Sequence, residues 1–156
     1  MTRNISIRLA KASEKEALES LQRRASLANP GDREAILAHP DAIELPSGQI
    51  AAGRVFVAEW GGRPAGLSAI LHRDDGDFDL DGLFVEPGLW RSGIGRALVE
   101  HAAAIAAQAG AGHLHVVGNP HAAGFYESLG FQTIETVATR FGPGLLMRRN
   151  LTAPSR

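Results

Sequence analysis

The chain contains no cysteine among its 156 residues. This absence excludes disulfide bonds, thiolate metal sites and a cysteine nucleophile, and it is typical of proteins in a reducing compartment. An excess of charge of one sign is missing as well, because 16 Lys and Arg residues stand against 17 Asp and Glu residues. Without a net basic field, the sequence offers nothing to attract nucleic acid or an anionic membrane surface.

Long hydrophobic runs are also missing. The N-terminal residues MTRNISIRLA lack the apolar segment of a secretory signal. No stretch of the chain approaches the roughly 18 apolar residues that a membrane span requires. We therefore expect a cytoplasmic protein with no membrane partner. The chain is 44% hydrophobic, and its length suits a single domain over residues 1–156 that buries its own core.

Hydrophobic periodicity predicts strands and helices in the first half of the chain. A strand over 5–9 is followed by a helix over 17–28, with Ser13 and Glu16 as its capping box. A short helix is expected over 33–38 and an irregular loop over 40–52. Residues 54–60, 65–72 and 77–85 predict three successive antiparallel strands, the first two joined at Gly61-Gly62.

The second half continues the alternation of element types. We expect a helix from about residue 93 to 108, a strand over 113–117, a short helix over 122–130 and two final strands over 132–140 and 145–151. No internal repeat interrupts this order. The elements together predict an α+β fold with a mixed, mostly antiparallel central sheet flanked by helices.

A glycine-rich turn, residues 92–95, opens the long helix. Gly93 and Gly95 let the backbone approach a ligand closely, and the first amides of the helix point from its positive end. This pattern favours an anion site, most simply for phosphate. It is not a Walker loop, because Arg96 stands where Lys is required, and Leu98 replaces the third small residue of a dinucleotide fingerprint. By itself, the turn is equally typical of an ordinary capped helix start.

Two longer segments around this turn carry a family pattern. Residues 83–102, LFVEPGLWRSGIGRALVEHA, contain a strand ending in Val-x-Pro before a glycine-rich helix start. Residues 119–131, NPHAAGFYESLGF, contain Asn-x-x-Ala-x-x-aromatic-Tyr. In this order, the segments resemble the GNAT superfamily of acyl-CoA-dependent N-acetyltransferases, and the resemblance covers roughly residues 54–150. One departure is Trp90, which stands where the family carries Gln or Arg, with Arg91 one place later.

The resemblance implies an acyltransferase that moves an acetyl group from acetyl-CoA directly to a primary amine in a ternary complex. No cysteine is available to form an acyl-enzyme. By position, the implied cofactor-binding residues are Leu83, Phe84 and Val85 at the pantetheine and thioester, Trp90, Arg91, Ser92, Gly93, Ile94, Gly95 and Arg96 at the pyrophosphate, and Asn119 at the pantetheine arm. Tyr126 is implied as the proton donor to the CoA sulfur. Asp79 is the first candidate for the base that accepts the amine proton, and Asp81, on the same strand face, is the second.

Each of these residues also has a structural explanation. Tyr126, the only Tyr in the chain, is equally typical of packing beside Phe125 on a short amphipathic helix. Asp79 and Asp81 fit the solvated face of an alternating strand. Trp90 either covers the pyrophosphate turn or shields the loop from solvent. The alternative function is therefore a non-catalytic acyl-CoA-binding sensor or regulatory module on the same fold.

The acceptor and the oligomeric state stay open at this level. Five Asp residues between positions 74 and 81 favour a cationic acceptor amine. A homodimer is left open. Two metal patterns are not favoured: the run 77–82 starts like a calcium loop but has Gly88 where a Glu is required, and His113 and His115 share a strand face with no carboxylate at ligand spacing. We expect acetyl-CoA as cosubstrate and no metal.

Overall fold

The computed structural model describes residues 4–29, 33–39, 47–139 and 142–151. Its strands are β1 (Ile5–Leu9), β2 (Val55–Trp60), β3 (Arg63–His72), β4 (Phe78–Val85), β5 (His113–Gly118), β6 (Gln132–Thr139) and β7 (Gly142–Asn150). Its helices are α1 (Lys15–Ala28), α2 (Arg33–Ala38), α3 (Ser47–Ala51), α4 (Ile94–Gln108) and α5 (Ala123–Ser128). Short 3₁₀ turns precede α1, α4 and α5, at Ala12–Glu14, Pro87–Leu89 and Pro120–Ala122.

Within the described residues, seven strands form one sheet in the order β1-β2-β3-β4-β5-β7-β6. All neighbouring pairs are antiparallel except β4 and β5, which run parallel and are connected through α4. The β2–β3 hairpin turns at Gly61 and Gly62, whose φ angles of 63° and 81° lie in the left-handed region that favours glycine. The predicted α+β fold with a mixed, mostly antiparallel sheet is confirmed.

The two long helices cover opposite faces of the sheet. On one face, α1 buries Leu18 and Leu21 against Leu67 of β3. On the other face, α4 lies so close to β3 that a Cβ on Gly66 would come within 3.0 Å of the Ile94 side chain. Because alternate residues of a strand point to opposite faces, Leu67 faces α1 and Gly66 faces α4. The start of α4 is thereby held against the middle of the sheet.

Two predictions about the N-terminal part were wrong. The capping interaction is made by Glu14, whose carboxylate accepts the N–H of Lys11 at 2.8 Å, whereas Ser13 lies inside a 3₁₀ turn. Arg8 of β1 fixes Glu14 in place by contacts of 2.9 and 2.8 Å, and the turn forms two residues earlier than the pattern indicated. The predicted loop over 40–52 contains helix α3, and residues 40–46 lie outside the described part.

The C-terminal hairpin matches its prediction closely. Strand β7 begins at Gly142, three residues before the predicted start, and residue 140, the last of the predicted preceding strand, lies outside the described part. Strand β6 forms the edge of the sheet, and nearly all of its residues are exposed. Among the described residues, no helix has both the length and the apolar character that crossing a membrane demands.

Candidate active site

Strands β4 and β5 are paired at one end only. Their ladder contains Phe78 with Leu114 and Asp79 with His115, and no further pairs. Beyond these pairs the strands separate, and we call this arrangement the β4–β5 fork, with a closed end at Asp79 and an open end at Val85. A cleft of about 710 Å³ occupies the open end and is lined by residues 80–85 of β4 and 116–119 at the end of β5.

The start of α4 forms the far wall of this cleft. Gly93 is the N-cap residue, with a φ of 91°, and Arg91 before it is also in the left-handed region, with a φ of 70°. These two residues fold the chain sharply just before α4, whose first amides have no intrahelical acceptor. Gly93, Gly95, Arg91 and Arg96 all line the cleft. The turn therefore combines backbone donors and two cations, as an anion site requires.

Ser92 does not cap the helix. Its hydroxyl donates to the carbonyl oxygen of Leu89, and no side chain caps α4 at Gly93. Trp90 donates its indole N–H to the carbonyl oxygen of Val85 at 2.9 Å, and 44% of its surface is exposed. The indole thus fixes the turn to the last residue of β4 and lines the cleft at the same time. Whether Trp90 covers the pyrophosphate or only shields the loop stays a prediction.

Tyr126 of α5 lines the cleft. Its ring packs edge-on against Phe125 and Phe131, with centroid distances of 5.0 and 5.5 Å, and only 7% of the residue is exposed. Burial raises its pKa to about 12, because the ionised phenolate loses hydration there. Gly118 of β5 lies against the same ring, where a Cβ would come within 3.2 Å of it. Tyr126 is therefore a well-packed phenol that stays protonated at physiological pH.

Asn119 has a structural role in the same wall. Its side-chain oxygen accepts the N–H of His121 at 2.8 Å and caps the 3₁₀ turn that leads into α5. The residue also lines the cleft. Its implied contact with the pantetheine arm stays a prediction. Because Asn119 Oδ1 already accepts the N–H of His121, other polar atoms of the residue would make that contact.

The two candidate bases lie in different environments. Asp79 is at the closed end of the fork, where its carboxylate contacts Arg73 Nη1 at 3.1 Å, and it does not line the described cleft. Asp81 lines the cleft and lies at an irregularity in the β3–β4 register, between the pairs formed by Leu80 and Gly82. Its carboxylate is within 3.5 Å of Gln49 on α3. This placement favours Asp81 over Asp79, the reverse of the order preferred from the sequence.

Most of the acidic run 74–81 is paired within the protein. Asp75 and Asp79 both contact Arg73, and Asp77 contacts two histidines. Asp81 is the one member of the run that lines the cleft. The density of carboxylates in the sequence therefore overstates the negative charge that a ligand would meet.

A carboxylate lies beside His113 and His115, although none stands at ligand spacing in the sequence. Asp77 Oδ2 lies 3.2 Å from His113 Nδ1 and 2.8 Å from His115 Nε2. Asp77 precedes β4 and the histidines lie on β5, so the parallel pairing brings together groups that are 36 and 38 residues apart. Spacing along the chain could not reveal this contact.

Helix α1 supplies a further wall of the cleft that the sequence motifs did not predict. Ala25, Ser26 and Asn29 line it, and Arg24 ties the helix to the turn after β4 through two contacts with Glu86, at 2.7 and 2.8 Å. The spacing of Ala25 and Asn29, one helical turn apart, is a signal for a shared face. Of the implied cofactor residues, Ser92 and Ile94 do not line the described cleft, and Ile94 is buried in the core.

Residues 16–131 match the family model of the acetyltransferase (GNAT) family, which spans most of the chain. The chain therefore belongs to the GNAT acetyltransferase family. The match starts at the second residue of α1, well before residue 54, so the N-terminal part belongs to the family pattern as well. No curated protein sequence matches the chain at a significant level.

Solved structures share this fold at low sequence identity. The PaiA N-acetyltransferase of Thermoplasma acidophilum, solved with coenzyme A, is 17% identical with a TM-score of 0.77, over 94% of this chain and 99% of the other. The ribosomal-protein-S18-alanine N-acetyltransferase of Escherichia coli is 21% identical with a TM-score of 0.70, over 98% and 97%. The YncA protein of Salmonella typhimurium, solved with acetyl-CoA, is 20% identical with a TM-score of 0.70, over 98% and 97%.

Proposed function

We propose that this protein transfers the acetyl group of acetyl-CoA directly to a primary amine in a ternary complex. The observation that carries the proposal is a single cleft in which the open end of the fork, the N-terminus of α4 and the phenol of Tyr126 meet. Membership of the GNAT acetyltransferase family supports the reaction class. Relatives of the same fold with bound coenzyme A or acetyl-CoA support the choice of cosubstrate.

The pyrophosphate of CoA fits the α4 turn. Phosphate oxygens would accept hydrogen bonds from the first amides of α4, and Arg91 and Arg96 would supply positive charge from both sides of Gly93. The pantetheine arm would extend from there between the separated strands. Because β4 lacks a ladder partner on this side beyond Asp79, its amides around residues 83–85 are available to the arm and to the thioester carbonyl.

The reaction then requires removal of a proton from the amine, stabilisation of an oxyanion and protonation of the departing sulfur. An alkyl amine is neutral in only about one molecule in a thousand at pH 7, so a base that accepts its proton accelerates the attack. We assign this base to Asp81, acting through water, with Asp79 as the alternative. The amine nitrogen attacks the thioester carbon, and the amides of β4 stabilise the oxyanion of the tetrahedral intermediate.

Collapse of the intermediate breaks the carbon–sulfur bond. The departing sulfur takes a proton from Tyr126, and the tyrosinate is reprotonated from solvent, so the net products are the acetylated amine and CoA thiol. Because the pKa of Tyr126 is raised to about 12, its phenol stays protonated at neutral pH and can act as the donor. A free thiol has a pKa of about 8.5, well below that of Tyr126, so full transfer of the phenol proton to sulfur is uphill. Tyr126 therefore donates a hydrogen bond to the sulfur as negative charge develops there, and the return of a proton from solvent to the phenol completes the transfer.

The acceptor that fits best is a primary amine with modest positive charge elsewhere. Asp81 alone among the acidic run lines the cleft, so a small amine or a peptide N-terminus suits the site better than a polycation. The proposal is tested by incubating the protein with acetyl-CoA and pooled amines and measuring the release of CoA thiol. We expect release with at least one pool. Tight binding of acetyl-CoA without release from any pool would instead favour the sensor module.

A further inference from the structure

We propose that Asp77, His113 and His115, here called the Asp77 cluster, form a binding site for one divalent transition-metal ion at the closed end of the β4–β5 fork. The donor atoms Asp77 Oδ2, His113 Nδ1 and His115 Nε2 all lie within 4.8 Å of one another. Atoms that bind one zinc ion at about 2.1 Å lie roughly 3 to 3.5 Å apart. The two oxygen-to-nitrogen distances, 3.2 and 2.8 Å, are close to this requirement.

The donor set favours particular ions. Two imidazoles and one carboxylate suit Zn²⁺, Co²⁺ or Ni²⁺, whereas Mg²⁺ and Ca²⁺ prefer oxygen ligands alone. The remaining coordination positions would be filled by water, because His113 and Asp77 are partly open to solvent, with 33% and 17% of their side chains exposed. The absence of cysteine from the chain removes thiolates as competing ligands.

The ligands are held in place before any ion arrives. Asp77 Oδ1 accepts the backbone N–H groups of Gly112 and His113, both at 3.1 Å, which leaves Oδ2 directed at the two imidazoles. The two backbone hydrogen bonds therefore orient the carboxylate before an ion binds.

Neighbouring charges set the expected strength. Arg148 of β7 is paired with His115 in the sheet, and its positive charge weakens cation binding. Asp79 is paired with His115 on the other side, but its charge is shared with Arg73. Binding in the micromolar range is therefore expected, well short of the affinity of buried four-ligand zinc sites. The ion would join the starts of β4 and β5, at the point where the fork closes.

Cobalt and zinc titrations of untagged, chelator-treated protein test the site. A polyhistidine tag must be absent because it binds the same ions. We expect one Zn²⁺ per chain by calorimetry, visible absorption bands from bound Co²⁺, and a thermal midpoint raised by a few degrees with Zn²⁺. His113→Ala and His115→Ala should each weaken binding more than about tenfold. His39→Ala, which changes an exposed histidine at the end of α2, should leave affinity unchanged.

The competing arrangement has no ion. Both imidazoles would then donate to Asp77 Oδ2, and the cluster would only pin β4 to β5. Absence of saturable Zn²⁺ and Co²⁺ binding by the parent protein would overturn the proposal, as would equal affinity in the parent and both cluster variants. The parent titration decides this even if a variant fails to fold, and none of these measurements depends on acetyl transfer.

Discussion

The two ends of the β4–β5 fork use polar residues in opposite ways. At the closed end, Asp77 and Asp79 are engaged by His113, His115 and Arg73, and the strands are paired. At the open end, the ladder stops, and β4, β5 and the first turn of α4 present backbone groups to a cleft. Polar groups that satisfy one another build the fold, whereas polar groups left facing a cleft are available to a ligand.

This contrast separates residues that look alike in the sequence. Asp79 and Asp81 are two positions apart on one strand, yet the first belongs to the closed end and the second lines the cleft. If the contrast is correct, substitutions at the open end change ligand binding and turnover, and matched substitutions elsewhere change neither. Four comparisons test this.

The largest effect is expected at the α4 turn. Gly93→Val should weaken acetyl-CoA binding by more than about a hundredfold, because it disturbs two or more charge-assisted hydrogen bonds of about 1.5 to 3 kcal/mol each. Calorimetric titration measures this. Gly110→Val is the matched control, since Gly110 also has a positive φ, 86°, but a Cβ there would meet nothing within 4 Å. Equal binding by the two variants would remove the turn from the site.

The second effect concerns the base. Asp81→Asn keeps the size of the side chain but cannot accept a proton, so turnover should fall about a hundredfold at neutral pH and recover partly as the pH rises. Affinity for acetyl-CoA should hardly change. Asp79→Asn is the control, and it should keep the turnover of the parent. The opposite result, a slow Asp79→Asn and a normal Asp81→Asn, would return the role to Asp79.

Tyr126→Phe should lower turnover by about tenfold to a hundredfold when chemistry limits the rate. The variant keeps the ring contacts with Phe125 and Phe131, so binding of acetyl-CoA should stay close to that of the parent. Unchanged turnover with a good acceptor would exclude Tyr126 as the proton donor.

The pH dependence of Tyr126 can be measured separately. It is the only Tyr in the chain, so the near-ultraviolet absorbance of phenolate reports this residue alone. We expect titration near pH 12, against about 10 for a free phenol. The pKa of Tyr126 is higher in the folded protein than in the unfolded one. The free energy of unfolding should therefore decline as the pH rises from about 10 to about 12, and Tyr126→Phe should remove that decline.

The smallest effect is expected at Trp90. Trp90→Phe removes the hydrogen bond to Val85, which contributes about 1 kcal/mol, so acetyl-CoA affinity should fall only about fivefold. Trp60→Phe, at the end of β2 and away from the described cleft, should not change it. A drop as large as that of Gly93→Val would mean that the indole itself binds the ligand.

Local patterns in the sequence predicted most of the fold. Hydrophobic alternation located every described strand, and glycines with positive φ marked the β2–β3 turn and the start of α4. These features depend on residues near each other in the chain. The capping role of Glu14 was missed because it depends on Arg8 of β1, and α3 was missed because its five residues, SGQIA, carry no periodic signal.

Contacts between residues far apart in the chain limited how much of the candidate site could be predicted from the sequence. Residues 83–85, the α4 turn, Asn119 and Tyr126 were located by motif, and the structure brings nearly all of them to one cleft. Asp81, unlike Asp79, lines the cleft and lies at a register irregularity between β3 and β4, which no local pattern encodes. The Asp77 cluster likewise depends on the pairing of β4 with β5 across the length of α4.

The short ladder between β4 and β5 also makes a seam in the sheet. Strands β1–β4 and strands β5–β7 are joined within the sheet by two residue pairs alone. Amides of β4 that face this seam should exchange with deuterium early when the cleft is empty, because local opening there breaks few bonds. A molecule lying between the strands would take the place of the missing rungs. Binding of a ligand in the cleft would then also hold the two parts of the sheet together.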